Sequence, residues 1–149
     1  MIVKHLIDSL SMSNTLVPNE HLMVGGQPSE HDFEVLAAIG ITQVVNLRPP
    51  SESIPFDEAA IAEKWGMQYH VIEVTTTESC TKEKAQHLKD ILDKEEPTLV
   101  HCASGNRVGA LIALKEYWLE GAGAEDAFNL GLSAGLTKYT EEIKQVLQV

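Results

Sequence analysis

The chain has 149 residues, 44% of them hydrophobic and 22% charged, which predicts one globular domain over residues 1–149 with a full hydrophobic core. Its formal net charge of −11 argues against nucleic acid and anionic membranes as partners. No apolar run is long enough to cross a membrane. The first residues lack the apolar segment of a secretory signal, which favours the cytoplasm, or the periplasm if a signal peptide has been removed.

The hydrophobic pattern predicts helices and strands in alternation. In chain order these are helix 33–39, strand 41–47, helix 56–65, strand 68–74, helix 81–94, strand 98–100, helix 107–119, and helices 124–129 and 136–147. Strands separated by helices form a mostly parallel sheet. We therefore predict an α/β fold in three layers, with a mostly parallel central sheet of four to five strands flanked by helices. Such sheets bind ligands at the carboxyl ends of their strands.

Residues 101–107, which read HCASGNR, lie between a predicted strand and a predicted helix. The N-terminus of a helix carries partial positive charge and several backbone N–H groups without an intrahelical partner. Such a position binds oxyanions and favours the thiolate form of Cys102 over the thiol. Arg107 is permanently charged and presents a planar fork of donors that can hold two oxygens of one oxyanion. This combination predicts an enzyme that uses Cys102 as a nucleophile.

A structural interpretation of Cys102 competes with this one, because a cysteine after an apolar strand is often a small core residue. That interpretation does not explain why His101 and Arg107 lie beside Cys102. We predict no metal and no cofactor, because the other histidines show no ligand spacing and Cys80 is the only other thiol.

The same loop resembles the signature of the cysteine-dependent tyrosine and dual-specificity phosphatases, in which His-Cys is followed by five residues and an arginine. The chain more closely resembles the bacterial "beta-lactamase hydrolase-like" phosphatase-like family in residues 25–29 (GGQPS), residues 44–49 (VVNLRP) and residues 101–109. The resemblance implies a cysteine phosphatase-like fold and a small phosphorylated substrate or a phosphoprotein as partner. It also implies that Cys102 is the nucleophile and that Arg107 binds the oxyanion. The backbone of Ala103, Ser104, Gly105, Asn106 and Arg107 would form the phosphate cradle.

Two departures from the phosphatase pattern leave the activity open. Only four residues separate Cys102 from Arg107, which is the length found in rhodanese-type sulfurtransferases. Val108 also stands where phosphatases usually carry a serine or threonine. The alternatives are therefore sulfur transfer through a Cys102 persulfide, or an oxyanion-binding module with little turnover, because fold alone does not determine function.

Three further residues are candidates at the same edge of the sheet. Arg48 follows the predicted strand 41–47 and is expected to be a second phosphate contact, or else a solvated arginine. The phosphatase resemblance calls for an aspartate as general acid in the segment 73–80, which contains none. Glu78 is the candidate there, with a solvated loop carboxylate as the alternative. Cys80 is a resolving cysteine or a loop residue without a role in the reaction.

Overall fold

The computed structural model describes residues 2–149 and confirms the predicted α/β architecture. A short 3-10 helix over Lys4–Ser9 precedes the first strands. The strands are β1 (Leu16–Asn19), β2 (Leu22–Gly25), β3 (Gln43–Asn46), β4 (Gln68–Val71) and β5 (Thr98–His101). The helices are α1 (Asp32–Ile39), α2 (Glu58–Lys64), α3 (Lys82–Leu92), α4 (Asn106–Leu119), α5 (Ala124–Ser133) and α6 (Thr140–Leu147), with a second 3-10 turn over Thr77–Ser79. No helix among residues 2–149 has the length and apolar character needed to cross a membrane.

The five strands lie in the order β1-β2-β5-β3-β4. All neighbours are parallel except β1 and β2, which form an antiparallel pair at one edge. Strand β5 is therefore central, and its carboxyl end reaches the middle of the edge at which parallel sheets bind ligands.

Alternate residues of the central strands face the two sides of the sheet, as the two-residue period of a strand requires. Val24, Val45 and Val100 point into a core built with α3, α4, α5 and α6. Their neighbours Met23, Val44 and Leu99 pack with α1, α2 and the first 3-10 helix. The two cores make the sheet the middle layer of three.

The differences from the predicted elements occur at strand and helix ends and near the N-terminus. Strands β1 and β2 were not among the predicted elements, because each has only four residues and shows no clear alternation. The predicted helix 136–147 begins only at Thr140, because residues 135–139 form the connection that packs against the start of α4. Helix α5 runs four residues beyond the predicted 129.

Candidate active site

Cys102 lies at the carboxyl end of the central strand β5, immediately before a tight turn into α4. Gly105 makes the turn with a φ of 95°, which is a left-handed conformation that only glycine adopts without strain. The turn brings the Gly105 N–H to 3.0 Å from the Cys102 Sγ, to which it donates a hydrogen bond. The Cys102 side chain is fully buried. The sulfur is therefore held beside the N-terminal amides of α4, as the sequence predicted.

The guanidinium of Arg107 is held from one side by Glu52, a residue that sequence analysis did not identify. Its Nη1 and Nη2 donate to the two carboxylate oxygens of Glu52 at 2.7 Å each, and Nη1 also donates to the main-chain oxygen of Val74 at 2.9 Å. An arginine has five N–H donors in a fixed planar arrangement. The two that remain are the Nε–H and the second Nη2–H, which are parallel and lie on one edge of the guanidinium.

The electrostatics of Arg107 agree with this placement. The hydrogen bonds from Arg107 hold the pKa of the Glu52 carboxyl below its usual range, against the opposing effect of burial. The hydrogen bond to Glu52 in turn raises the pKa of Arg107, and burial opposes this effect. The nearby Cys102 raises the pKa of Arg107 further. Glu52 is thus a carboxylate, and Cys102 is close enough to Arg107 to raise its pKa.

A second buried carboxylate, Glu58, lies behind the loop. Glu58 is in the first turn of α2 and is 4% exposed. It accepts hydrogen bonds from His101 Nε2 and from Gln27 Nε2, both at 2.6 Å. Burial raises the pKa of Glu58, but the hydrogen bonds and positive charges of His101, Gln27 and Arg48 outweigh it, so that its pKa lies below the usual range. Sequence analysis did not identify Glu58.

Arg48 emerges at the same edge of the sheet, directly after β3. Its Nη2 lies 3.5 Å from Glu58 Oε1, and its Nη1 donates to the main-chain oxygen of Glu52. The side chain is buried, and its Nε has no hydrogen-bond partner among the described residues. Arg48 thus contacts the two acidic residues that contact the loop, and its direct contact with phosphate stays a prediction.

The loop itself is supported from outside by three neighbouring segments. The Ala103 oxygen accepts from Gln27 N at 3.0 Å, and the Ser104 oxygen accepts from Asn14 Nδ2 at 3.3 Å. Asn106 uses its side-chain oxygen to accept from Thr137 N, Thr137 Oγ1 and Lys138 N at 2.7 to 2.8 Å. The side-chain oxygen of Asn106 therefore connects the start of α4 to the α5–α6 connection.

The segment between β4 and α3 contains the other two candidates. Glu78 lies in the 3-10 turn over Thr77–Ser79 and is exposed to solvent. Cys80 is buried, and burial raises the pKa of its thiol to about 11. Among residues 2–149, no group of three histidine, cysteine, aspartate or glutamate side chains is arranged to hold a metal ion.

Comparison with known proteins connects this geometry to one family. Residues 10–124 match the family model described as "Swiss Army Knife protein, DSP-PTPase phosphatase domain". The beta-lactamase hydrolase-like proteins of two Xylella fastidiosa strains are 34% identical over 102 residues, which cover 66% of this chain and 24% of each relative. The chain thus spans about a quarter of the length of these relatives.

Solved structures show the same fold at lower sequence identity. A protein from Neisseria meningitidis superposes with a TM-score of 0.71 at 22% identity, over 87% of this chain and 96% of that one. A protein from Shewanella putrefaciens gives a TM-score of 0.68 at 19% identity, over 93% of both chains. The fold and the matched residues together confirm the resemblance found in the sequence: the chain belongs to the DSP-PTPase phosphatase domain family of Swiss Army Knife proteins.

Proposed function

We propose that this domain hydrolyses phosphomonoesters with Cys102 as the nucleophile. The Cys102 thiolate attacks phosphorus, so that a P–S bond forms while the P–O bond to the leaving group breaks. Water then attacks the phosphocysteine, the P–S bond breaks, and inorganic phosphate leaves. The observation that carries this proposal is the placement of the Cys102 Sγ beside the N-terminal amides of α4, 3.0 Å from the Gly105 nitrogen.

Arg107 and the loop amides would stabilise the charge that develops on phosphorus. Glu52 and the Val74 oxygen occupy three N–H groups of Arg107. The Nε–H and the remaining Nη2–H have the spacing that binds two phosphate oxygens at once. Because these donors are held in place before the substrate arrives, little reorganisation is needed in the transition state. The amides from Ala103 to Arg107 complete the proposed cradle, with Arg48 as an outer positive charge.

The leaving group also needs a proton unless it is a stable anion. Glu52 and Glu58 are poor general acids, because the pKa of each carboxyl is lowered by its partners. Glu73 and Glu78 are the exposed carboxyl groups of the segment 73–80, and Glu78 lies farther along the loop from β4. We propose Glu78 as the general acid. We also propose aryl phosphomonoesters as the preferred substrates, because phenolate leaving groups depend less on a general acid.

The surroundings of the loop support a substrate with an aromatic group. A cavity of about 460 Å³ is lined by Gln27, Pro28, Ile54, Pro55 and Phe56 among others, and the Gln27 backbone contacts the loop at Ala103. One structural relative, TpbA of P. aeruginosa, was solved in complex with phosphotyrosine, with a TM-score of 0.62 at 13% identity. We propose small aryl phosphates or phosphotyrosine in a protein as the substrate class. A reducing compartment such as the cytoplasm fits a reactive thiolate.

The test is a paired assay of the wild-type protein and Cys102→Ser on an aryl phosphate. We expect phosphate release by the wild type and none by the variant, while both retain the same circular dichroism spectrum. Val108→Ala serves as a control for changes next to the arginine that leave the thiol and the guanidinium in place. Equal phosphate release by the wild type and Cys102→Ser would contradict the proposal.

Sulfur transfer is the second candidate, which the four-residue spacing between Cys102 and Arg107 left open in the sequence. Four residues separate Cys102 from Arg107, and the Gly105 amide folds back onto a fully buried sulfur, so that a single extra sulfur atom needs less room than a tetrahedral phosphate. In that reaction the S–S bond of thiosulfate breaks, sulfite leaves, and Cys102 becomes a persulfide whose outer sulfur passes to cyanide as thiocyanate. The same two proteins are assayed with thiosulfate and cyanide. Thiocyanate formation that depends on Cys102, without phosphate release, would select this candidate, and phosphate binding without either reaction would select the binding module.

A further inference from the structure

The direction of each amide in the loop depends on where the carbonyl group of the same peptide is held. In a trans peptide the C=O and the N–H point in opposite directions across the chain. The Ser104–Gly105 peptide is trans, and its N–H donates to the Cys102 sulfur at 3.0 Å. The Ser104 oxygen therefore points out of the loop, away from the sulfur.

The backbone at Gly105 offers little resistance to this peptide turning over. Gly105 has a φ of 95°, and glycine adopts positive and negative φ with similar ease. The peptide before such a glycine turns over between the type I and type II forms of a turn, in which the φ of the glycine is negative and positive respectively. Turned over, it would present the Ser104 oxygen, which carries partial negative charge, to an incoming phosphate. A contact that holds this oxygen outward therefore keeps the amide inward.

Asn14 makes that contact from the segment before β1. Its Nδ2 donates to the Ser104 oxygen at 3.3 Å. The contacting atom must be the amide nitrogen, because a carbonyl oxygen only accepts hydrogen bonds. The same side chain lies against Gly105, where an added Cβ would be 3.3 Å from Asn14 Nδ2. Asn14 thus covers the outer side of the peptide whose N–H faces the sulfur.

Two contacts fix the segment that carries Asn14. Ser11 donates through its N and its Oγ to the buried carboxylate of Asp32, at 2.8 and 2.9 Å. The Ser13 oxygen accepts from the Gly26 nitrogen at 2.8 Å. Asn14 itself has a φ of 59°, in the left-handed region, which asparagine tolerates better than most residues with a side chain. The backbone of this segment therefore determines where the Asn14 amide lies.

We propose that Asn14 is a positioning residue, whose hydrogen bond to the Ser104 oxygen keeps the Gly105 N–H directed toward the nucleophile and the bound oxyanion. The inference rests on the proposed function, in which the loop amides bind phosphate. The preceding peptide has the same arrangement with a backbone donor, because the Ala103 oxygen accepts from the Gln27 nitrogen at 3.0 Å. A hydrogen bond between neutral groups shifts an equilibrium about two- to tenfold. Loss of the Asn14 amide should therefore favour the turned-over peptide by this factor.

The first test measures hydrogen exchange of the Gly105 amide by NMR of protein labelled with 15N. The variant is Asn14→Gly, which removes the side-chain amide and which the positive φ at this position accommodates. The matched control is Gln148→Gly, because Gln148 is also an exposed amide residue with a positive φ, of 62°, at the end of α6. We expect the Gly105 amide to exchange about two- to tenfold faster in Asn14→Gly and at the wild-type rate in Gln148→Gly. Equal exchange in the wild type and Asn14→Gly would overturn the proposal.

A second variant separates the loss of the donor from a loosening of the segment. Asn14→Asp keeps the size of the side chain and tolerates the left-handed φ, but a carboxylate offers the Ser104 oxygen only another acceptor. We expect the Gly105 amide to exchange at least as fast as in Asn14→Gly, and wild-type protection in Asn14→Asp would refute the role of the donor. A purely structural role for Asn14 predicts that the Val100 amide, in the middle of β5, exchanges faster to the same extent as Gly105, which would also overturn the proposal.

The last measurement is the affinity for inorganic phosphate, followed by the shift of the Gly105 amide signal during a titration. We expect the Kd of Asn14→Gly to be about two- to tenfold higher than that of the wild type and of Gln148→Gly. Equal Kd values in all three proteins would contradict the role of Asn14 while the phosphatase reaction stands. A wild type that binds no phosphate would contradict the proposed function, and the exchange comparison, which needs no ligand, then decides on Asn14 by itself.

Discussion

Glu52→Gln tests whether the carboxylate beside Arg107 orients the guanidinium or competes with phosphate for it. Glu52 makes two hydrogen bonds of 2.7 Å to Arg107 and leaves one edge of the fork free. A glutamine has a single acceptor oxygen, so one of the two bonds is lost together with the charge. A hydrogen bond to a charged group contributes about 1.5–3 kcal/mol to stability, whereas an exposed ion pair contributes about 0.2–1 kcal/mol.

The exposure of the pair decides between these values. The Glu52 side chain is 37% exposed, so solvent screening brings the loss to about 1 kcal/mol. If the whole loss appears in the transition state, in which Arg107 donates to two phosphate oxygens, kcat falls about fivefold. KM should not rise, because the variant removes a negative charge near the incoming dianion.

The assay is steady-state hydrolysis of an aryl phosphate by the wild type, Glu52→Gln and Glu73→Gln. Glu73 is an exposed carboxylate in the segment after β4, so its variant reproduces the change of net charge without touching Arg107. We expect the Glu73 variant to behave as the wild type. A kcat for Glu52→Gln above that of the wild type, with tighter inhibition by inorganic phosphate, would refute the orienting role and identify Glu52 as an internal competitor.

Three further predictions follow from single residues. Glu78→Gln should slow hydrolysis of phenyl phosphate about a hundredfold and leave para-nitrophenyl phosphate nearly unaffected; equal effects on both substrates would contradict a general-acid role. Because burial raises the pKa of Cys80 to about 11, its thiol should stay protonated and resist iodoacetamide at pH 8, and mass spectrometry of the native protein that finds Cys80 modified would contradict this. Gly26→Ala should destabilise the protein by about 1–3 kcal/mol, because the new Cβ would lie 2.7 Å from the Ala103 oxygen; urea unfolding measures the loss, and an unchanged midpoint would contradict it.

The position of the loop over residues 101–107, between β5 and α4, was predictable because its residues are contiguous in sequence. A strand, a cysteine, a glycine turn and an arginine at the start of a helix lie within seven residues, and helix-terminal amides act over that distance. Parallel topology also predicted that Arg48 would emerge at the same edge of the sheet, since the carboxyl ends of parallel strands lie together.

The partners of the loop were not predictable in the same way. Glu52 and Glu58 lie more than forty residues before His101 and Arg107, in the connection after β3 and in the first turn of α2, where the sequence shows no motif. Their pairing depends on β3 lying beside β5. The available signal was the pair of arginines, Arg48 and Arg107, because two buried cations need carboxylate partners. Arg48 was instead interpreted as a phosphate contact.

The sequence by itself determined the fold class and the family and proposed Cys102 as the nucleophile, because each depends on short-range periodicity or on one contiguous motif. Tertiary structure alone decided which groups surround that motif: Glu52 on Arg107, Glu58 on His101, and Asn106 on the α5–α6 connection. The physical reason is that a buried charge must find an opposite charge in space. The fold supplies those partners from strands that are neighbours in the sheet and distant along the chain.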